Sequence, residues 1–114
     1  MDSILTTTKK LLGIGEEDTH FDLDIIVYIN TAISILTQIG VGPPEGFSII
    51  DNTSTWSDFT EDKKSFESVK TFIYLKVKLL FDPPANSNAI ESINSTLNEL
   101  QCRLSIAAES EVIK

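Results

Sequence analysis

SFESVKTFIYLKVKLLFDPP, residues 65–84, decides how the rest of the chain is read. Placed on a helix at about 100° per residue, Phe66, Val69, Ile73, Val77 and Leu80 fall on one stripe, and Phe72, Leu75 and Leu79 on a second. One apolar stripe is enough to close the core of a small domain. Two stripes mean either that this helix is the central one of the fold, or that one stripe is reserved for another chain. Pro83 and Pro84 end it, because proline has no amide to continue a helix and pushes the residue before it toward extended geometry. The helix is therefore expected from Thr60 or Glu61 to Asp82.

Upstream, Asp22 is placed to cap a strong helix that runs to Ile39 and stops at Gly40. Its stripe is Ile25, Ile29, Ala32, Leu36 and Ile39, widened by Ile26 and Ile33. Between the two strong helices lie residues 40–59, GVGPPEGFSIIDNTSTWSDF. Glycines and prolines forbid helix in its first part, and Phe47 to Ile50 suit a short extended segment. A connection of that length is usually functional or disordered. At the start of the chain, Ser3 caps a short helix through Leu12, which Gly13 ends and which is marginal alone because of its threonines. Downstream, Asn86 or Ser87 caps a fourth helix, with Ile90, Ile93, Leu97, Leu100 and Leu104 on one narrow stripe opposite Asn94, Asn98 and Gln101. The pattern weakens after Arg103, so residues 105–114 read as a flexible tail or one ordered by a partner. The expected architecture is all-α, a four-helix domain covering residues 1–114 with one long loop between helices two and three.

At 114 residues and 41% apolar, the chain can bury one core, with little surplus for an enzyme cleft. It has no run of about 18 apolar residues to span a bilayer, and MDSILTTTKK lacks the order of a signal peptide. The expectation is a product made in the cytosol without a membrane partner. Seventeen acids against nine bases give a net charge of −8, which disfavours nucleic-acid binding. The excess is uneven: residues 1–60 hold nine acids and two lysines, residues 61–114 eight acids and seven bases. Glu16, Glu17, Asp18, Asp22 and Asp24 form an acidic surface without an intervening base, while the third helix carries Lys63, Lys64, Lys70, Lys76 and Lys78. Either both are ordinary solvated surfaces, or two chains meet acid to base, the heterologous contact that closes rings.

The candidate chemistry is thin. His20 sits among the five acids, but the spacing fits neither a calcium loop nor a zinc helix, so acids complementing a helix N-terminus explain it better. The single cysteine, Cys102, reads as a reduced thiol beside a packed helix. No motif brings His20 to Cys102 or to a serine, and no glycine-rich segment has the lysine and strand context of a nucleotide site. Neither enzyme activity, metal nor cofactor is expected. Phe47 and Trp56, in the long loop, either fold back over an end of the core or anchor a neighbouring subunit. With Phe72, Leu75, Leu79, Lys70, Lys76 and Lys78 they make up the candidate interface.

The order of LTTTKKLLGI, an acidic turn, FDLDIIVYINTAISILTQIGVGP, SVKTFIYLKVKLLFDPP and LNELQCRL resembles the small helical head-to-tail connector proteins of long-tailed bacteriophages and prophages, in the version found in phages of Gram-positive bacteria. These are also called adaptor or head-completion proteins. The resemblance covers roughly residues 4 to 104. Its more specific elements are the Gly-Val-Gly exit from helix two and the Asp-Pro-Pro exit from helix three. It implies a non-enzymatic structural protein of the virion, assembled in the host cytoplasm, forming a ring that matches a twelvefold portal. Its partners would be further copies of itself, the portal, and a tail-side connector or stopper, with DNA passing through the channel unbound. A rival reading is an acidic DNA mimic that inhibits a basic nucleic-acid-binding protein, although the basic, apolar third helix fits that role poorly.

Overall fold

The computed structural model describes residues 3–60 and 65–113, with side chains through residue 109. Among these residues the chain forms α1 (Ile4–Leu11), α2 (Asp22–Gln38), a single-turn α3 (Trp56–Phe59), α4 (Phe66–Phe81) and α5 (Ser87–Ile113), and no strand. The all-α expectation holds. The start expected at Thr60 or Glu61 does not: Thr60 closes α3 in extended conformation, and Glu61 lies outside the described residues.

α4 is the central helix. It packs against α2 on one side and α5 on the other, and α1 lies across α2 and α4. Its two stripes thus have covers within the chain. Val69, Ile73 and Val77 are fully buried, and so is Phe72 of the second stripe; Leu75 and Leu79 are half-buried against the same core. Leu80, expected on the inner stripe, is instead 42% exposed.

Local chemistry explains where the helices start and stop. The Ser3 hydroxyl accepts a hydrogen bond from the Thr6 amide at 3.2 Å, satisfying one of the amides that a helix N-terminus leaves open. α2 begins differently from expectation. Its cap residue is Phe21, without a side-chain cap bond, and Asp22 is the first helical residue, its carboxylate drawn away to an ion pair with Lys9. At its other end the Val41 amide bonds back to the Leu36 carbonyl (2.9 Å) and the Gly40 amide to Thr37 (3.1 Å). This is the paired closure that needs a left-handed residue at the turn, and Gly40 supplies it at φ +95°. α1 closes with the same pair of bonds, Ile14 to Lys9 and Gly13 to Lys10.

The extended segment expected at Phe47 to Ile50 does not become a strand. A strand needs a partner strand, and here the demand is met by a side chain: the Asn30 amide group donates to the Ile49 carbonyl at 3.0 Å and accepts from the Ile49 amide at 2.8 Å. The only sheet-like pairing among the described residues is an isolated antiparallel bridge between Ser3 and Thr55. α3 was not foreseen. Its signal is the Thr55-x-x-Asp58 spacing, in which the Asp58 carboxylate accepts from the Thr55 amide at 2.9 Å, and it inserts Trp56 and Phe59 into the core.

α5 starts as expected, with Asn86 Oδ1 accepting from the Asn88 amide at 2.7 Å. It does not end at Leu104 but continues to Ile113. The continuation is hard to see in sequence because it packs through small side chains. A Cβ built on Gly40 would lie 3.1 Å from the Cβ of Ala108, so the helix passes close over the α2 exit.

Gly42 has the tightest backbone approach in the loop. Its φ is +85°, and a Cβ there would collide with the Phe59 ring. Gly42→Ala is expected to lower stability by about 3 kcal/mol, from left-handed strain together with overpacking of Phe59. Gly46→Ala, with φ +99° and open space around it, carries only the strain, about 1 kcal/mol. Urea denaturation of both variants checks the difference.

Candidate functional site

The acidic turn between α1 and α2 is not free of bases, as its sequence suggested. Lys9 reaches in from α1, 3% exposed, and its ammonium lies 2.8 Å from Asp22 Oδ1 while donating to the Glu16 carbonyl at 3.1 Å. Asp22 Oδ1 is shielded from water and receives no well-directed hydrogen bond, so attraction to Lys9 is what offsets its desolvation. Asp22 is therefore a structural residue. Glu16, Glu17, Asp18 and Asp24 remain exposed, with Asp18 accepting from the His20 amide at 3.2 Å. His20 sits edge-on to Phe21. Among the described residues no group of three or more His, Cys, Asp or Glu side chains is placed to hold a metal ion.

The candidate interface residues do not form one surface. Trp56 and Phe72 are each 1% exposed, committed to the chain's own core. The Trp56 indole N–H donates to the Thr7 hydroxyl at 3.2 Å, and its ring meets Phe66 edge-on. Phe47 is half-buried against Phe59, ring centroids 5.4 Å apart. On α4, Lys70 pairs with Glu67 at 3.2 Å and covers the Phe66 ring, and Lys78 pairs with Asp82 at 3.1 Å. Lys76 is half-buried. The basic character of this helix is thus partly neutralised by its own acids. Cys102 is a free thiol on the exposed side of α5.

A different surface emerges beside the α2 N-terminus. Leu23 (76% exposed), Val27 (54%) and Ile50 (83%) are large aliphatic side chains turned to solvent. Leu23 and Ile50, with half-buried Ile26, line an open groove of about 430 Å³ whose polar wall includes Asp22 and Asp51. Leu23 and Val27 are four residues apart on the face of α2 opposite its buried stripe, a signal present in the sequence but masked there by the stronger inner stripe. Ile50 could not be placed from sequence, since its direction depends on Asn30. By holding both backbone groups of Ile49, Asn30 sinks that side chain into the core, 1% exposed, and turns the next one outward. Asp51 beside it is kept ionised: the Thr53 hydroxyl and then the Thr53 amide hold its carboxyl below the usual carboxylate range.

Asn30→Ala is expected to cost about 2 kcal/mol, because the Ile49 amide and carbonyl lose their partner in a largely buried setting. Amide exchange at Ile49 should accelerate more than at Val69 or Ile73 of the core, a contrast that hydrogen-exchange mass spectrometry or NMR reads directly.

The helices share one core, the long loop is held to it by Asn30, by the Trp56 indole and by its pairing with the start of α1, and an aliphatic groove opens beside the α2 N-terminus. Residues 4–111 match the model of a family described as phage connector protein. The chain belongs to that family. As a phage connector protein it is a structural component, associating with other proteins of the phage head and tail. The match extends past the resemblance read from residues 4 to 104 and takes in the C-terminal part of α5. Comparison with curated proteins and with solved structures gives no match. Among the described residues no helix of this connector is long and apolar enough to cross a membrane.

Proposed function

We propose that the chain is a ring-forming subunit of the head-to-tail junction, seated beneath the portal of a long-tailed phage, where it extends the DNA channel and presents a platform for the next connector or the tail. The observation that carries this reading is the family match across residues 4–111. The charge is consistent with it. Twelve copies at −8 each carry roughly −100 before counterions, and acids along a channel repel the phosphate backbone, so that DNA slides without sticking. The helical scaffold suits a load-bearing collar, since its backbone hydrogen bonds are satisfied within each helix.

Light scattering tests the proposal, with the chain alone and after mixing with portal protein purified from the same genome. A ring-sized mass, or co-migration with the portal, is the expected result. A monomer that ignores the portal overturns it, and a salt-sensitive complex with a basic DNA-binding protein instead would favour the mimic.

A further inference from the structure

α1 and the long loop hold each other. The Ile4 amide donates to the Ser54 carbonyl at 3.0 Å, Ser3 and Thr55 form the antiparallel bridge, and the Trp56 indole N–H donates to the Thr7 hydroxyl. Neither piece stands alone. α1 is eight residues long with three threonines, too short to persist in water, and the loop ahead of α3 has neither helix nor strand of its own. To α2 the first is fastened through Lys9 and Asp22, the second through Asn30 and Ile49. α4, by contrast, packs directly on both α2 and α5, so these three helices meet without α1 or the loop between them.

We infer that α1 and residues 47–59 form a single clasp that opens and closes as one unit while α2, α4 and α5 stay folded. Parts of a domain can open in this way at a lower free energy than the whole. The interlocking is what joins the two pieces: releasing α1 strips the Ser54 carbonyl and the indole N–H of their partners, and releasing the loop strips the Ile4 amide of its acceptor. Ile4, Leu5, Ile49, Trp56 and Phe59, all buried, leave the core together. Opening is therefore a discrete step that exposes apolar surface and steepens with urea, unlike the fraying of a helix end. Lys9 and Asn30 act on the same equilibrium although they hold different residues. By linkage, a neighbour that steadies the loop also steadies α1, and the reverse.

Native-state hydrogen exchange of the full chain in rising urea, read residue by residue by NMR, tests the clasp. The amides of Thr7 and Thr8 in α1 and of Ile49 in the loop, each hydrogen-bonded in the closed form, are expected to share one opening free energy and one urea dependence, with protection at least tenfold below that of Ile73 in α4. Lys9→Met is expected to lower the protection of Ile49 by the same factor as that of Thr8, roughly a hundredfold. Asn30→Ala is expected to lower that of Thr8 by roughly twentyfold. If Lys9→Met reaches Thr8 but not Ile49, or Asn30→Ala reaches Ile49 but not Thr8, the two pieces open separately and the proposal is overturned. Equal protection of Thr8, Ile49 and Ile73 overturns it too, since that is unfolding of the whole chain. Should Lys9→Met fail to fold, Asn30→Ala and the unsubstituted chain decide by the same readings.

Discussion

Trp56→Ala is expected to destabilise the chain by about 4 kcal/mol, the range for removing a large aromatic from a packed core, and to lower the melting temperature by roughly 15 °C. The side chain is 1% exposed and does three things at once. It fills the core, it meets the Phe66 ring at 5.9 Å, and its indole N–H ties the long loop to Thr7 of α1. Trp56→Phe keeps most of the volume but leaves the Thr7 hydroxyl without its donor, a change of about 1 kcal/mol. Thermal melts followed by circular dichroism separate the two variants. If Trp56→Ala instead melted like the parent and lost only its assembly, the tryptophan would be an anchor for a neighbour and its burial in the isolated chain irrelevant.

Lys9→Met is expected to cost about 3 kcal/mol. The methionine keeps the aliphatic stem's packing, so the loss reports mainly on Asp22, left as a shielded carboxylate with no counter-charge. The low end of the buried-pair range applies because the Asp22 side chain is 26% exposed, so water recovers part of its solvation. Adding Asp22→Leu removes the stranded charge, and the double variant should regain most of the loss, since an apolar pair can replace a buried ion pair at little cost. A double-mutant cycle in urea measures this. Equal stability of Lys9→Met and the parent would mean that the pair contributes nothing beyond its packing.

These two residues also show where sequence reasoning reached and where it stopped. Period and breakers located α1, α2, α4 and α5 because their apolar stripes and glycine or proline exits are local features. The second stripe of α4 left two readings open, a central helix or a face kept for another chain, and sequence could not choose between them, because that depends on which helix lies alongside. Lys9 was invisible as a partner for the acidic turn: the ion pair joins residues 13 positions apart across a tight helix closure. The outward Ile50 depends on a hydrogen-bonded contact between Asn30 and a residue 19 positions away, and the last turns of α5, past Leu104, pass Gly40 through Ala108, a small side chain that leaves almost no periodic signal. The family, by contrast, was legible, since it rests on the order of several local motifs and does not require knowing how they touch.

The attachment of α1 has a consequence for synthesis. Ser3 bridges to Thr55, the Ile4 amide donates to the Ser54 carbonyl, and Thr7 receives the Trp56 indole, 49 residues downstream. A helix of eight residues rich in threonine does not hold by itself in water. α1 is therefore expected to stay unordered on the ribosome until the loop has emerged, although it is translated ahead of that partner. Nascent chains stalled before residue 56 should leave α1 open to proteases, and those stalled well after α4 should protect it.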